Sequence, residues 1–331
     1  MPALRIATFN LENLDDVPGA KPTLAERIRV LRPQLERLRA DVLCLQEVHG
    51  QEVAGQPRAL LALGQLLAGT RYAAYNVVTT LTAQGVPYDV RNLVVLSPFP
   101  TLTRTQLLND LVPAPSYQRV TANPAQPAAT PIRWERPILH VRLDLGAGRT
   151  LDMVNLHLKS RIPTDIDGQK VDTYTWRTAA GWAEGSFISG MKRVGQALEV
   201  RTLIDQIFDA AVAANGPPPW IVVCGDFNAE QEEVPLAAIC GAVEDTGNVA
   251  LHDRVMVPCE NNIPTSSRYT LFHLGQGAML DHVLVTRGLL QFFTHAEAHN
   301  EILPDESGAF RTDTKFPESD HAPVVAEFLL P

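Results

Sequence analysis

The chain has 331 residues, of which 45% are hydrophobic and 20% are charged, as in an ordinary globular protein. Its formal net charge of −9 argues against a protein that holds long nucleic acid through a broad basic surface, because such proteins are usually basic. Any polyanionic substrate would therefore have to be bound locally, with the help of a metal ion.

Cysteine spacing and hydropathy argue against a structural zinc protein and against a membrane-spanning protein. The 4 cysteines form no C-x-x-C pair, so the sequence does not predict a structural zinc site. No apolar stretch approaches the ~20 residues that a membrane-spanning helix needs. The first residues lead directly into a strand-like run, Leu4–Phe9, without the charged and apolar segments of a signal peptide. We therefore expect a cytoplasmic monomer without a membrane span.

In the first third of the chain, short apolar runs alternate with segments whose apolar residues have helical spacing. They predict strand Leu4–Asn10, helix Thr23–Arg39, strand Asp41–Glu47, helix Arg58–Leu67, and a strand pair at Tyr72–Thr80 and Asn92–Ser97. Residues 111–137 are dense in Pro, Ala and Thr and have no clear period, which predicts a long surface loop.

The rest of the chain alternates in the same way, with two further insertions at about 160–192 and 299–318. The predicted elements are a hairpin of Ile138–Leu145 and Leu151–Leu158, a helix Val194–Val212, a strand Trp220–Cys224, a helical segment Glu233–Cys240, and strands Met279–Thr286, Phe292–Ala298 and Val324–Leu329. No linker divides the chain. We therefore expect one domain over residues 1–331, of the α+β class, with sheets packed face to face and helices outside.

Polar residues of catalytic type stand at the ends of six predicted strands. A core needs apolar residues, and an unpaired buried charge costs several kcal/mol, so packing alone does not explain this pattern. One site built from many strand ends explains it better. The residues are Asn10, Glu47, His157, Asp226 with Asn228, Asp281 with His282, and Asp320 with His321.

Carboxylates in this set suit a hard divalent cation such as Mg²⁺, which binds one or two carboxylates together with water and phosphate oxygens. Glu47 fits that role at the end of its strand. Glu12 is a second candidate because it shares a strand face with Asn10, and a solvated loop glutamate is an equal alternative. Asp320 is either a further metal ligand or the cap of a strand end.

The remaining polar residues suit an anionic ligand. Asp226 can orient or deprotonate water, and the amide of Asn228 can donate to a phosphoryl oxygen. Asp281 can fix the tautomer of His321, whereas His282 points to the opposite strand face. By strand alternation, three polar groups line one face near the end of the second hairpin strand, namely Asn155, His157 and Lys159.

Together these motifs resemble the endonuclease/exonuclease/phosphatase superfamily, which has the DNase I-like fold, and they follow the family's order from residue 10 to residue 323. The resemblance implies a four-layered α/β sandwich with two packed, mainly antiparallel sheets. It also implies Mg²⁺- or Mn²⁺-dependent attack of water on phosphorus. The residues that match family positions are Asn10 and Glu47 at the metal site, His157 at the scissile phosphate, Asp226 and Asn228 as the water-orienting and phosphate-contacting pair, Asp281 and His321 as a dyad, and Asp320 beside it.

Two segments further resemble a bacterial branch that includes extracellular nucleases. They are His157–Ser160, taken with the helix at Arg193–Ala197, and the pair Arg91-Asn92. This resemblance implies that Arg91 contacts phosphate.

The sequence therefore predicts a metal-dependent phosphoester hydrolase whose substrate is a phosphodiester, in a nucleic acid or a small diester. A small-molecule or lipid-headgroup phosphoesterase, sphingomyelinase-like or acting on inositol phosphates, is the alternative that the acidic charge and the aromatics of 174–187 favour. Trp176, Trp182 and Phe187 would then be a lipid-facing surface, although a small satellite core is the simpler interpretation. A binding protein without catalysis should have lost Glu47, Asp226, Asp281 or His321, and all four are present.

Overall fold

A computed structural model describes residues 3–241, 247, 249–312 and 315–331. Its strands in chain order are β1 (Ala3–Leu14), β2 (Val42–Val48), β3 (Asn76–Thr79), β4 (Asn92–Ser97), β5 (Thr101–Leu107), β6 (Ser116–Tyr117), β7 (Thr130–Pro131), β8 (Ile138–Gly146), β9 (Arg149–His157), β10 (Trp220–Asp226), β11 (Met256–Pro258), β12 (Leu271–His273), β13 (Gln276–Ala278), β14 (Asp281–Thr286), β15 (Phe293–Ala298) and β16 (Val324–Leu329). The α-helices are α1 (Leu24–Leu38), α2 (Leu61–Leu67), α3 (Ala179–Ala213), α4 (Val234–Cys240), α5 (Arg287–Leu290) and α6 (Ser307–Thr312).

Two six-stranded sheets form the centre of the fold. Their strand orders are β15-β16-β1-β2-β4-β3 and β11-β14-β10-β9-β8-β5. Each sheet has one parallel pair, β1 with β2 and β9 with β10, and its other pairs are antiparallel. The prediction of two mainly antiparallel sheets is confirmed.

Apolar side chains fill three layers around these sheets. Between the sheets, residues such as Ile6 and Val95 of the first pack against Met153 and Val222 of the second. On its outer face, the first sheet packs against α1 and α2. The outer face of the second sheet packs against α3 and α4. The result is the predicted four-layered arrangement, helix–sheet–sheet–helix.

Helix α3 corrects the sequence prediction, because it begins at Ala179 rather than at Val194 and has 35 residues. Residues 179–192, which are 14 of the 33 residues of the expected 160–192 insertion, are therefore helical. Glycines obscured this, since they are poor helix formers. Here they permit close packing: a Cβ on Gly185 would lie 2.5 Å from the Thr164 carbonyl oxygen, and one on Gly195 would lie 2.7 Å from the Trp134 ring.

Other boundaries differ by smaller amounts. Helix α2 begins at Leu61 rather than at Arg58, and a 3₁₀ turn at Arg71–Ala74 replaces the start of the strand predicted from Tyr72. The 111–137 loop contains only the short β6–β7 ladder. The 299–318 insertion contains α6, and its residues 313 and 314 lie outside the described part of the chain. Among the described residues, we find no helix with the length and apolar character for crossing a membrane.

Strand direction explains why distant polar residues meet. Parallel neighbours end at the same edge of a sheet, and an antiparallel neighbour begins there. His157 and Asp226 end the parallel strands β9 and β10, and Asp281 begins the antiparallel strand β14. In the first sheet, Glu47 lies near the end of β2, and His321 precedes β16. All five therefore reach the same edge.

Candidate active site

Asp226 is the centre of the polar cluster at this edge. In the sheet register it lies directly opposite His157 on one side and Asp281 on the other. Side chains of directly opposite residues lie on the same face of a sheet, so these three converge. The first sheet adds Asn10, whose amide nitrogen lies 3.1 Å from Asp226 Oδ2.

The Asp226 carboxylate accepts several hydrogen bonds. Its Oδ1 accepts from the Asn228 backbone at 2.8 Å, and its Oδ2 accepts from Asn228 Nδ2 at 3.0 Å. The Nε2 atom of His157 lies 3.2 Å from Oδ2, and that of His321 lies 3.9 Å away. Burial alone would raise the pKa of Asp226, but the two imidazoles hold it well below its usual range. This carboxylate is therefore ionised although it is buried.

His321 and Asp281 form the hydrogen-bonded pair that the sequence predicts. His321 Nδ1 lies 2.7 Å from Asp281 Oδ2, and both residues are buried. Burial alone would lower the pKa of His321, but Asp281 and Asp226 raise it well above its ordinary value. Burial also raises the pKa of Asp281. The Asp281 carboxylate thus favours the charged form of the His321 imidazole.

His157 has the opposite electrostatic character. Burial and the Arg136 guanidinium lower its pKa, so the neutral imidazole is favoured. Its Nε2 then donates to Asp226, and its buried Nδ1 has no partner among the described residues. We call His157, Asp226, Asp281 and His321 the histidine half of the site.

A second cluster, which we call the carboxylate half, consists of Glu12, Glu47 and Asp320. The Glu47 Oε1 atom lies 3.6 Å from His157 Nε2, so the two halves adjoin. Glu47 Oε2 accepts from the Asn13 backbone at 3.0 Å, and Glu12 Oε2 accepts from the Asp320 backbone at 3.1 Å.

The carboxylate half has excess negative charge. Burial, together with the charges of Glu12 and Glu47, raises the pKa of Asp320 to about 8, although the nearby His321 opposes this rise. Asp320 Oδ1 is buried and has no hydrogen-bond partner among the described residues. Burial also raises the pKa of Glu12, despite the nearby Arg27. Clustered carboxylates with an unused oxygen are the donor set that a hard divalent cation prefers, so these residues fit a metal ion.

Among the described residues, the trio that meets a simple distance criterion for a metal site is a different one. Ligand atoms of Asp226, Asp281 and His321 all lie within 4.8 Å of one another. In this trio, however, the protonated imidazole already supplies a positive charge between the two carboxylates. A metal there would have to displace that proton. The carboxylate half, with Asn10 beside it, is the better place for the ion.

Asn10 joins the two halves. Its Nδ2 donates to Asp226, and its Oδ1 accepts from the Glu12 backbone at 3.0 Å. Both hydrogens of the Asn228 amide group have acceptors within the protein, Asp226 and the Leu158 carbonyl. This geometry makes Asn228 a support for Asp226, and its contact with a phosphoryl oxygen stays a prediction.

The structure contradicts the prediction that Asn155 binds substrate. This residue is completely buried between the sheets, where its Nδ2 donates to the carbonyls of Leu45 and Val94, and its Oδ1 accepts from Gln46. Strand alternation put it on the correct face, but it lies deeper than His157, where the opposite sheet covers it.

Lys159 and Arg91 lie at the rim. Lys159 Nζ donates to Ser160 Oγ at 2.9 Å, and burial lowers its pKa to about 8. Arg91 is exposed and close enough to Glu47 to lower the pKa of that carboxyl, although burial opposes it. Phosphate contacts by these two residues stay predictions.

Arg136 is the residue at the site that the sequence interpretation missed. It is buried, donates to the Leu158 carbonyl at 3.0 Å, and has an Nε atom without a partner in the described chain. Its charge influences His157, Glu47 and Asp226. The only sequence signal is its place in Arg133–Pro137, directly before β8, within a segment that otherwise has the composition of a loop.

A buried ion pair, Glu260–His282, lies next to the histidine half and helps to hold its strands in place. His282 Nδ1 lies 2.5 Å from Glu260 Oε1, and its Nε2 lies 2.8 Å from the Ala229 carbonyl. Both ring nitrogens thus face acceptors, which favours the charged imidazole. The sequence prediction that His282 points away from the site is consistent with this contact, which holds the segment after Asn228 against β14.

Backbone strain also concentrates at the site. Of the ten non-glycine residues with positive φ in the described chain, five lie here: Glu12, Asn13, Glu47, Arg91 and Asn228. Such conformations cost about 1–3 kcal/mol each and cluster at functional sites. Arg27 stabilises the first two by donating to the carbonyls of Leu11 and Glu12. Gly225 has φ 140°, and a Cβ there would lie 2.0 Å from the Leu156 carbonyl oxygen, so this position requires glycine.

Comparison with known proteins agrees with this geometry. The sequence profile of the Endonuclease/Exonuclease/phosphatase family matches residues 7–321, so the chain belongs to that family. Members of this family are generally phosphoesterase hydrolases that use divalent metal ions. No curated protein sequence matches the chain significantly.

Solved structures support the fold. The chain is similar to endonuclease/exonuclease/phosphatase family proteins from Bacteroides vulgatus (17% identity, 100% of each chain covered, TM-score 0.58) and Bacteroides thetaiotaomicron (15% identity, 99% of this chain and 96% of that chain, TM-score 0.58). It is also similar to truncated TDP2 from Caenorhabditis elegans (13% identity, 99% of this chain and 98% of that chain, TM-score 0.52).

Proposed function

We propose that this protein is a divalent-metal-dependent phosphodiesterase that acts on nucleic acid. One observation carries the proposal: an ionised, buried Asp226 with His157 and His321 around it adjoins a separate cluster of excess carboxylates. Ionised Asp226 suits the orientation of an attacking water, and the two imidazoles suit the oxygens of a phosphate. The carboxylate cluster suits a cation.

Each half then has a separate task. Asp226 orients the attacking water and accepts its proton as the new P–O bond forms and the P–O bond to the leaving oxygen breaks, and the leaving oxygen takes a proton from solvent. The charged His321, held by Asp281, neutralises negative charge that develops on the phosphoryl oxygens, and His157 turns its single N–H from Asp226 to the same group once substrate is bound. Arg136, and at the rim Arg91 and Lys159, add positive charge around the phosphate. Asn228 keeps Asp226 in position.

The metal ion, Mg²⁺ or Mn²⁺, would be held by Glu47, Asp320 and Glu12, with Asn10 beside them. When bound, it would polarise the phosphate as a Lewis acid and favour ionisation of water. The unpartnered Asp320 Oδ1 and the mutual repulsion of these carboxylates support this assignment.

A substrate panel tests the proposal. Purified protein is assayed with plasmid DNA, RNA, bis-p-nitrophenyl phosphate, p-nitrophenyl phosphate and sphingomyelin, with Mg²⁺, with Mn²⁺ and with chelator. We expect metal-dependent cleavage of the nucleic acids and of the diester, and little cleavage of the monoester. Full activity after removal of metal, or no cleavage of any diester, would contradict the proposal.

A lipid-headgroup phosphoesterase is the second candidate, because α3 extends past the site. Arg193 donates to the Lys159 and Ser160 carbonyls, so the preceding 14 residues of α3, about 20 Å long, project beyond the sheet edge. Trp182 and Phe187 on this extension are each 52% exposed, whereas Trp176 packs into a satellite core. Cleavage of sphingomyelin in preference to nucleic acid would favour this candidate.

A further inference from the structure

A groove runs along the protein from the carboxylate half of the site. It consists of two adjoining cavities of about 560 and 310 Å³, which share Lys21, Pro22 and Lys315 in their walls. The smaller cavity ends at Glu12. The larger one continues past α1 to Arg29. The groove therefore connects the proposed metal position with an open surface beside α1.

The basic side chains of this groove lack salt bridges. Within the described chain, Lys21, Arg29 and Lys315 have no ion-pair partner and are exposed. Many other basic residues are neutralised by nearby carboxylates, as in the pairs Arg58–Glu52, Arg71–Asp41, Arg142–Asp152, Arg161–Glu233, Lys170–Asp165, Lys192–Glu135, Arg201–Asp205 and Arg254–Asp209. Other exposed basic side chains of the described chain, such as Arg104 and Arg177, also lack a salt bridge. What distinguishes the groove, in a chain of net charge −9, is that three such side chains lie together in its walls, as an anionic ligand would require.

Three acidic side chains line the groove: Glu12, which belongs to the carboxylate half, and Glu26 and Asp15, which have hydrogen-bond partners of their own. The Glu26 carboxylate accepts from the backbone and hydroxyl of Thr23, each at 2.7 Å, in a capping box at the start of α1. Asp15 binds His49 at 3.3 Å and Gln51 at 2.8 Å. These carboxylates have partners of their own, so the lysines and the arginine remain available to an anionic ligand.

The rest of the wall is apolar. Pro22, Val30 and Pro317 line the larger cavity, and Leu24 and Phe316 line the smaller one. Basic groups beside apolar and aromatic side chains are what a nucleic-acid strand requires, since the cations follow the phosphates and the bases pack against apolar faces. A small diester held at the catalytic centre would not extend this far.

We propose that this groove binds the nucleotides that flank the scissile phosphate of a polynucleotide, with Lys21, Arg29 and Lys315 contacting their phosphates. The inference rests on the proposed function, and it names the substrate class. The local basic groove also explains how an acidic protein holds a polyanion without a basic surface as a whole.

The test compares wild type with the double variant Lys21→Ala/Arg29→Ala. Cleavage of a fluorescein-labelled 12-nucleotide single-stranded DNA and of bis-p-nitrophenyl phosphate is measured with Mn²⁺, and binding of the same DNA is measured by anisotropy in chelator over a range of salt concentrations. We expect the KM for DNA to rise about tenfold while the small diester is unaffected. Removing two phosphate contacts should reduce the slope of log affinity against log salt by about 1.4.

Arg37→Ala is the matched control, because it removes one positive charge from the same helix, where Arg37 lies 3.8 Å from Glu301. It should change neither the KM for DNA nor the salt slope by a comparable amount. Wild-type values of both in the double variant would overturn the groove proposal, and so would an equal loss with both substrates.

The outcomes separate this proposal from the function on which it rests. If wild type cleaves the small diester but neither binds nor cleaves DNA, the groove proposal and the assignment of DNA as substrate both fail, whereas the metal-dependent phosphodiesterase chemistry stands. If wild type cleaves neither substrate, the proposed function fails, and the anisotropy measurement still decides whether the groove binds DNA.

Discussion

Both halves of the candidate site contain buried carboxylates, but the two halves differ in how far nearby positive charges compensate those carboxylates. In the histidine half, the two buried carboxylates lie beside the charged His321, and the Arg136 guanidinium also acts on Asp226, so the protein itself supplies compensating positive charge. In the carboxylate half, three acidic groups lie together, and the pKa of Asp320 is raised to about 8. The contrast teaches that burial alone does not identify a metal ligand. What matters is whether the protein supplies the opposite charge itself.

The largest effect should come from breaking the Asp281–His321 pair. We expect His321→Ala and Asp281→Ala each to lower kcat/KM for bis-p-nitrophenyl phosphate by on the order of 10⁴-fold, as with removal of a partner from other carboxylate–histidine pairs. The double variant should be little worse than the worse single variant, because the two residues act as a unit. His295, whose side chain is 41% exposed and pairs with Glu297 away from the site, provides the control, since His295→Ala should retain wild-type kinetics. Multiplicative losses would show that the two residues act independently.

The next effect concerns Asp226 and its support. Asp226→Asn keeps the shape and removes the charge, so kcat should fall by about 10²–10⁴, the usual contribution of a general base. Asn228→Ala should have a smaller effect, near the lower end of that range, because it only loosens Asp226. Steady-state kinetics and the melting temperature are measured together. A loss of stability that accounts for the loss of rate would remove Asp226 from its proposed role.

Metal binding is the property that distinguishes the roles of the two halves most directly. We expect Glu47→Gln and Asp320→Asn to weaken Mn²⁺ binding at least 10-fold, since even groups one shell removed from a metal contribute about 10–100-fold. Asp281→Asn should bind Mn²⁺ as wild type does. Titration calorimetry without substrate measures this, with Asp144→Asn, at the far end of β8, as the control. Equal weakening by Asp281→Asn would move the metal to the histidine half.

The last expected effect is on stability rather than on activity, and it acts through the Glu260–His282 pair. Burial alone would lower the pKa of His282, but Glu260 and the Ala229 carbonyl raise it. A raised folded-state pKa contributes stability that is complete below the unfolded value of about 6.5 and is lost as pH rises through the folded value. As the pH rises from the unfolded pKa of His282 through its folded pKa, we expect the melting temperature of wild type, measured by calorimetry, to fall. The melting temperature of His282→Gln should fall less over the same pH range.

A substitution of Glu260, the acidic partner of His282, tests the same ion pair. Glu260→Gln should cost about 3–5 kcal/mol, because it leaves a buried charge uncompensated. The control is His273→Gln, which changes a 45% exposed side chain. An unchanged pH profile in His282→Gln would show that this histidine does not titrate with folding.

Sequence alone determined much of this protein. Apolar periodicity located most strands of both sheets and helix α1, because each element has to bury a face. Polar residues at strand ends identified the site, because packing gives no reason for them. The family followed from their order along the chain. The part of helix α3 that precedes Val194 was missed. Its glycines are poor helix formers, and the sequence does not show the close contacts that they permit in the folded chain.

Only the tertiary structure decided the charge state of these residues and whether a ligand can reach them. Asn10 and Asp226 are 216 positions apart, and Arg5 and Glu327 are 322 apart, so the sequence does not show which charges compensate each other. It does not show that the opposite sheet covers Asn155, that Arg136 reaches the catalytic centre, or that Lys21, Arg29 and Lys315 line one groove. The physical reason is that local pattern fixes which face of a strand or helix a side chain occupies. Its charge state and its access to ligands depend on neighbours that only folding supplies.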